Sequence, residues 1–194
     1  MLDKKMYFIK ERVGFVKLTD TYDILDPESK QPLGVAKEEI GAFFKLLRLI
    51  INKTLLPTTV NVYETNQTQP VLSIRKGGLF TSKVSVMDKN GTKIGYFKAK
   101  LFAIGGGFWV YNTQGQQVAE IKGDWKGWNF KFLGPNNTEL GTVTKKWAGI
   151  GKELFTSADN YIISINDTVK EQSLTNTLLL AAGLAIDIVY KEKS

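Results

Sequence analysis

Between Tyr22 and Gly141 the chain repeats one arrangement of apolar and polar residues five times. Each copy has an alternating apolar run, a polar turn, and an apolar residue followed by a small or second apolar one. The copies open at Tyr22, Val60, Val84, Trp109 and Phe130, and aligned on their closing residue they fall at Gly34, Leu72, Gly95, Ala119 and Gly141. Period-two alternation gives a strand one buried and one wetted face, and the intervening Asp, Asn, Gly and Pro residues supply turns. Each copy therefore predicts a β-hairpin. Asn90-Gly91 is the sharpest turn signal, because both residues tolerate positive φ. The recurring glycine at 34, 95 and 141 predicts a bulge or a crowded interior.

Strand-like runs at Tyr7–Glu11 and Asn160–Ser164 flank the repeats and bring the count near twelve strands. Two helical segments interrupt the β pattern. One is a short apolar insertion near residues 39–52, with Phe43, Phe44, Leu46, Leu47, Leu49, Ile50 and Ile51. The other runs from about Thr175 to Tyr190. Its centre, Leu178, Leu179, Leu180, Ala181, Ala182, Gly183, Leu184 and Ile186, is apolar all round, as a helix enclosed on every side must be. It is shorter than the roughly 20 apolar residues of a bilayer span, so a buried core helix is the favoured reading, with a membrane anchor, and with it phospholipid translocation, as the less favoured alternative. The small residues Ala181, Ala182, Gly183 and Ala185 would let a sheet approach closely. A closed antiparallel barrel of about 12 strands around this helix, in one domain over residues 1–194, satisfies every strand edge and every apolar face.

The 194 residues include no Cys and no His. That excludes disulfides, thiolate or imidazole catalysis and ordinary zinc sites. No nucleophile–base set remains, so an enzyme is not expected. Net charge is +7, and residues 83–152 hold 11 Lys against 4 acidic residues. Such a block suits an anionic partner, either phospholipid headgroups or nucleic acid. The absence of Arg within it places nucleic acid second, because bidentate guanidinium forks are missing there. A basic surface that serves solubility alone, or a protein-binding scaffold, accounts for the same charge. Met1–Lys5 leads into a mixed run with no apolar leader core, so a cytoplasmic location, peripheral at the membrane, is expected.

The run from Gly141 through Lys145-Lys146-Trp147, Gly151-Lys152-Glu153 and Phe155-Thr-Ser-Ala-Asp159-Asn160-Tyr161 resembles the phospholipid scramblase family. So does the closing Leu178–Tyr190 segment, and the resemblance is specific over residues 139–190. It implies the wider group that includes LURP-one-related and tubby carboxy-terminal domains, whose fold is a twelve-stranded barrel around a central helix. The family's calcium-dependent members carry an acidic loop matching Ser157–Thr168. Here only Asp159 and Asn160 are kept, Ile162 stands where a loop glycine would turn, and Thr168 replaces the closing carboxylate. Calcium loops need several oxygen ligands, so no calcium and no other cofactor is expected, and Ile162 and Ile163 fit a buried strand.

Other motifs are weaker. Gly149-Ile-Gly151-Lys152 lacks the hydroxyl residue and first glycine of a phosphate loop, and Gly105-Gly106-Gly107 sits between strands. Asp23 with Asp26, and Asp124 with Glu120, read as turn and edge carboxylates. The sharper candidates are Lys122, Lys126, Lys131, Lys145, Lys146 and Lys152 with Trp125, Trp128 and Trp147. Lysines supply point charges for lipid phosphates and tryptophans favour the interface between water and hydrocarbon. The resemblance points the same way, since tubby-type domains bind phosphoinositides through basic residues.

Overall fold

The structure is a computed structural model that describes residues 1–12, 19–51, 55–78, 83–100, 106–124, 127–145, 160–170 and 173–190. The first five strands are β1 (Met6–Glu11), β2 (Thr21–Leu25), β3 (Pro32–Glu39), β4 (Thr58–Glu64) and β5 (Leu72–Lys76). They continue as β6 (Lys83–Asp88), β7 (Lys93–Ala99), β8 (Gly107–Asn112) and β9 (Gln117–Asp124), then β10 (Asn129–Leu133), β11 (Glu139–Thr144) and β12 (Tyr161–Ile165). Helix α1 (Ala42–Leu47) joins β3 to β4, and α2 (Leu174–Tyr190) follows β12. Every strand pairs antiparallel with its sequence neighbours, and β1 pairs with β12, which closes the barrel. Closure removes the free edges that an open twelve-stranded sheet would offer to other chains.

Alternation places the side chains as the pattern requires. In β6, Val84 and Val86 are buried while Lys83 and Ser85 face outward. The outward positions carry many polar side chains, among them Lys10, Asp23, Lys37, Asn61, Arg75, Lys98, Glu120 and Thr142, interspersed with aromatic residues such as Tyr63, Tyr96, Trp109 and Tyr111, while the inward ones are mostly apolar. A barrel that crosses a bilayer on its strands has the opposite arrangement.

The repeated apolar–small pair has a defined meaning. Register slips occur opposite Leu33, Ile94, Val118 and Leu140, each the residue just before Gly34, Gly95, Ala119 or Gly141. The slipped residues, together with Val71 of the remaining repeat, are half-buried against the core. A bulge turns each of these side chains inward over the barrel's end, where period-two pairing alone would aim it at solvent. At Gly34 and Gly141 the following glycine leaves room for the backbone of the neighbouring strand, and at Gly95 the sheet and helix also meet. A Cβ on Gly95 would lie 2.6 Å from the Tyr111 carbonyl oxygen and 2.7 Å from Leu178 Cδ2. Gly95→Ala is therefore expected to cost about 1–3 kcal/mol through overpacking, read as a lower midpoint in urea denaturation.

Helix α2 occupies the barrel's axis and packs on β5 to β8 and β12. It is buried continuously from Asn176 to Asp187, including all eight apolar and small residues expected to form its core. Gly183 allows the closest approach, since a Cβ there would lie 2.6 Å from Ile163 Cδ1. Ile162 and Ile163 are fully buried in β12. Polar residues tie both helix ends to the wall. Asn176 Nδ2 donates to the Leu2 carbonyl at 2.8 Å, and the Tyr22 hydroxyl donates to Asp187. Burial, and then the Asp187 charge, holds the Tyr22 hydroxyl well above its ordinary pKa, so it remains a donor.

The two ends of the barrel differ. At one end β2–β3, β4–β5, β6–β7, β8–β9 and β10–β11 are joined by the turns 26–31, 65–71, 89–92, 113–116 and 134–138. The other end carries the connections 12–20, 40–57, 77–82, 100–106, 125–128 and 145–160, together with the carboxy-terminal end of α2.

Candidate membrane-facing surface

Of the residues singled out in the sequence, Lys122, Lys131, Lys145, Trp128 and Asn160 are described. Lys126, Lys146, Lys152, Trp125, Trp147 and Asp159 lie outside the described residues. Lys122 on β9 and Lys131 on β10 stand directly opposite each other, and both point out of the barrel. Each has an acidic neighbour. Lys131 Nζ donates to Glu139 Oε2 at 2.8 Å, and Lys122 Nζ lies 3.2 Å from Glu120 Oε1. Glu120 also accepts from Lys100, whose ammonium sits 4.8 Å from the centre of the Trp109 ring. Burial alone would raise the Glu120 carboxyl. The hydrogen bonds from Lys100 and Lys122 outweigh it and hold that carboxyl below its ordinary pKa.

Trp128 differs from the outward-pointing Lys122 and Lys131. Its ring is half-buried against the core, 5.1 Å from Tyr161 and edge-on to Phe130 at 6.4 Å. Lys145 Nζ lies 4.5 Å from the ring centre. Trp128 thus helps plug the end of the barrel that bears the long connections. Asn160 is buried just before β12.

The structure adds a cluster to the candidates named from sequence. Lys83 and Lys93 both lie over the Tyr96 ring, at 4.1 and 4.7 Å from its centre, and Tyr96 stacks on Tyr111 at 4.9 Å. Lys98 pairs across the sheet with Lys83 on one side and with Trp109 on the other. Among the described residues, no carboxylate forms an ion pair with Lys83, Lys93 or Lys98. Burial, followed by the charge of Lys83, holds the Lys93 ammonium below its ordinary pKa. Two ammonium groups sharing one aromatic face keep spare donors for an anion, whose charge would relieve their repulsion. The signal for this cluster was present in the alternation of residues 83–99. The Asn90-Gly91 turn brings Lys83 opposite Lys98, while Lys93 reaches Tyr96 along the same outer face.

A direct consequence concerns titration. In the free protein Lys93 Nζ is expected to lose its proton below the ordinary range of a lysine ammonium. A bound phosphate-bearing anion should move the Lys93 transition upward, because the anion favours the charged form. Side-chain NMR titration of Lys93, with and without the anion, checks both directions.

The carboxylates considered as acid–base pairs have structural partners. Asp26 Oδ1 accepts from the backbone of Glu28 and Ser29, Asp23 binds Arg12, and Asp124 Oδ2 accepts from the Gly127 amide. Among the described residues no helix is long and apolar enough to cross a membrane. A protein-family model described as Scramblase matches residues 17–193. No curated protein and no solved structure matches the chain.

Proposed function

The chain belongs to the scramblase family, and from that premise we propose that this domain binds the surface of anionic phospholipid membranes through the outer face of β6–β10. The observation that carries the reading is the group of lysines at 83, 93 and 98, set among Tyr96, Tyr111 and Trp109 with no acidic partner among the described residues. Lys122 and Lys131 extend the same face. Cations near an anionic bilayer contribute about 1 kcal/mol each, so a few productive contacts support useful affinity. Binding of this kind needs neither catalysis nor cofactor, and a protein partner is not required for it. It is also adsorption rather than lipid translocation, because α2 spends its apolar surface on the barrel wall.

Co-sedimentation with vesicles tests the proposal. The protein is expected to pellet with phosphatidylcholine–phosphatidylserine vesicles and to remain in the supernatant with phosphatidylcholine alone. The interaction should fade as salt shortens the Debye length from about 10 Å at 0.1 M to about 3 Å at 1 M. Equal pelleting with both vesicles, or none at low salt, overturns it. Dithionite quenching in proteoliposomes addresses the second part, and rapid flip-flop would contradict a purely adsorbing role.

A further inference from the structure

Helix α1 is apolar, yet only Phe44 and Leu47 of it are partly buried. None of its six residues is fully buried. Phe43 is 67% exposed, Leu46 66%, Leu49 70% and Ile50, in the turn that follows, 86%. The segment is instead held by charge. Arg48 Nη1 donates to Glu38 Oε2 at 2.9 Å and Nη2 donates to Glu38 Oε1, with both side chains buried, and Glu38 also accepts from the Asp20 amide. The lock orders the turn while leaving four large apolar side chains in water. An exposed apolar patch of this kind on a folded domain marks a place where something else binds.

We infer that α1 and the turn after it form a wedge that enters the hydrocarbon edge of the bilayer and orients the barrel with its long-connection end toward the membrane. The inference rests on the membrane-binding reading above and adds the element that inserts and the end that faces lipid.

Charge and position favour a bilayer over a protein groove. Lys45 is exposed on α1 itself. Lys83 begins β6 and Lys98 lies one residue from the end of β7, so both stand at the same end of the barrel as α1. An apolar element bordered by cations is complementary to an anionic interface, where insertion and electrostatic attraction add. The sequences of the connections agree. Those joining strands at the α1 end contain Phe15, Phe80, Phe102, Trp125, Trp147 and Phe155, all outside the described residues, whereas the turns of the opposite end contain no aromatic residue.

The absence of cysteine makes the test direct, since one introduced thiol can carry an environment-sensitive fluorophore. Ile50→Cys and, at the opposite end, Gln114→Cys are labelled with NBD and mixed with phosphatidylcholine–phosphatidylserine vesicles. The label at 50 is expected to shift to the blue and brighten severalfold, and the label at 114 to stay as in water. The double variant Leu46→Glu, Ile50→Glu should bind about tenfold more weakly with an unchanged thermal transition. If vesicles pellet the protein but the label at 50 does not respond, the wedge is overturned while the adsorption reading stands. If nothing pellets, both fall. If the label at 50 responds without vesicles, at concentrations where sedimentation velocity shows a dimer, the patch joins two copies and the inference is likewise overturned.

Discussion

Leu180→Asp is expected to abolish folding, while Ile50→Asp leaves the protein as stable as before. The two leucine-sized residues belong to the chain's two apolar helical segments, and their surroundings differ. Leu180 is fully enclosed on α2, midway along the barrel's axis, whereas Ile50 is 86% exposed. A carboxylate at 180 would have to be desolvated with no cation designed to meet it, and the packing of a leucine would be lost as well. Together these cost about 4 kcal/mol or more, a large share of the roughly 5–15 kcal/mol that holds a domain of this size folded. At position 50 the same change stays in water and should move stability by no more than about 0.5 kcal/mol. Far-ultraviolet circular dichroism with urea denaturation checks both. A Leu180→Asp protein that folds cooperatively would show that α2 can leave the barrel.

The second large effect is on membrane affinity. The triple variant Lys83→Ala, Lys93→Ala, Lys98→Ala should bind anionic vesicles about a hundredfold more weakly, since three cations at about 1 kcal/mol each are removed. Folding should not suffer. Lys83 faces Lys98 directly across two strands and shares the Tyr96 ring with Lys93, so these like charges repel and their loss should leave stability unchanged or slightly raised. Lys131→Ala, by contrast, removes a cation already paired with Glu139 and should weaken vesicle binding less. Vesicle titration and urea denaturation of the same variants separate affinity from stability. A triple variant that unfolds, or that binds undiminished, would remove this face from the binding surface.

Much of the architecture was legible because it depends on local rules. Alternation reports which face of a strand is wet, the Asn90-Gly91 turn pins a register, and an apolar stretch with no polar stripe requires enclosure. The repeated apolar–small pair was visible too, but its purpose was not. Only the paired sheet shows that Leu33, Ile94, Val118 and Leu140 bulge inward to close one end over α2.

The site was less legible for the same reason. Proximity in sequence grouped Trp128 with Lys122 and Lys131, yet strand direction and closure bury half of Trp128 beside Tyr161 and leave the two lysines outside. The Tyr96 cluster depends on Lys93 reaching along the outer face to the ring that Lys83 also covers, a placement set by the register of β6 and β7. By itself, then, the sequence determined the hairpins, the enclosed helix and the excess of positive charge, all of which follow from short-range periodicity and composition. The tertiary structure decided which lysines lack an acidic partner among the described residues, that α1 is held mainly by Arg48 and Glu38 rather than by its own apolar side chains, and that α1 stands at the same end of the barrel as Lys83 and Lys98. Those outcomes depend on distances between residues far apart in the chain, which register and closure set together.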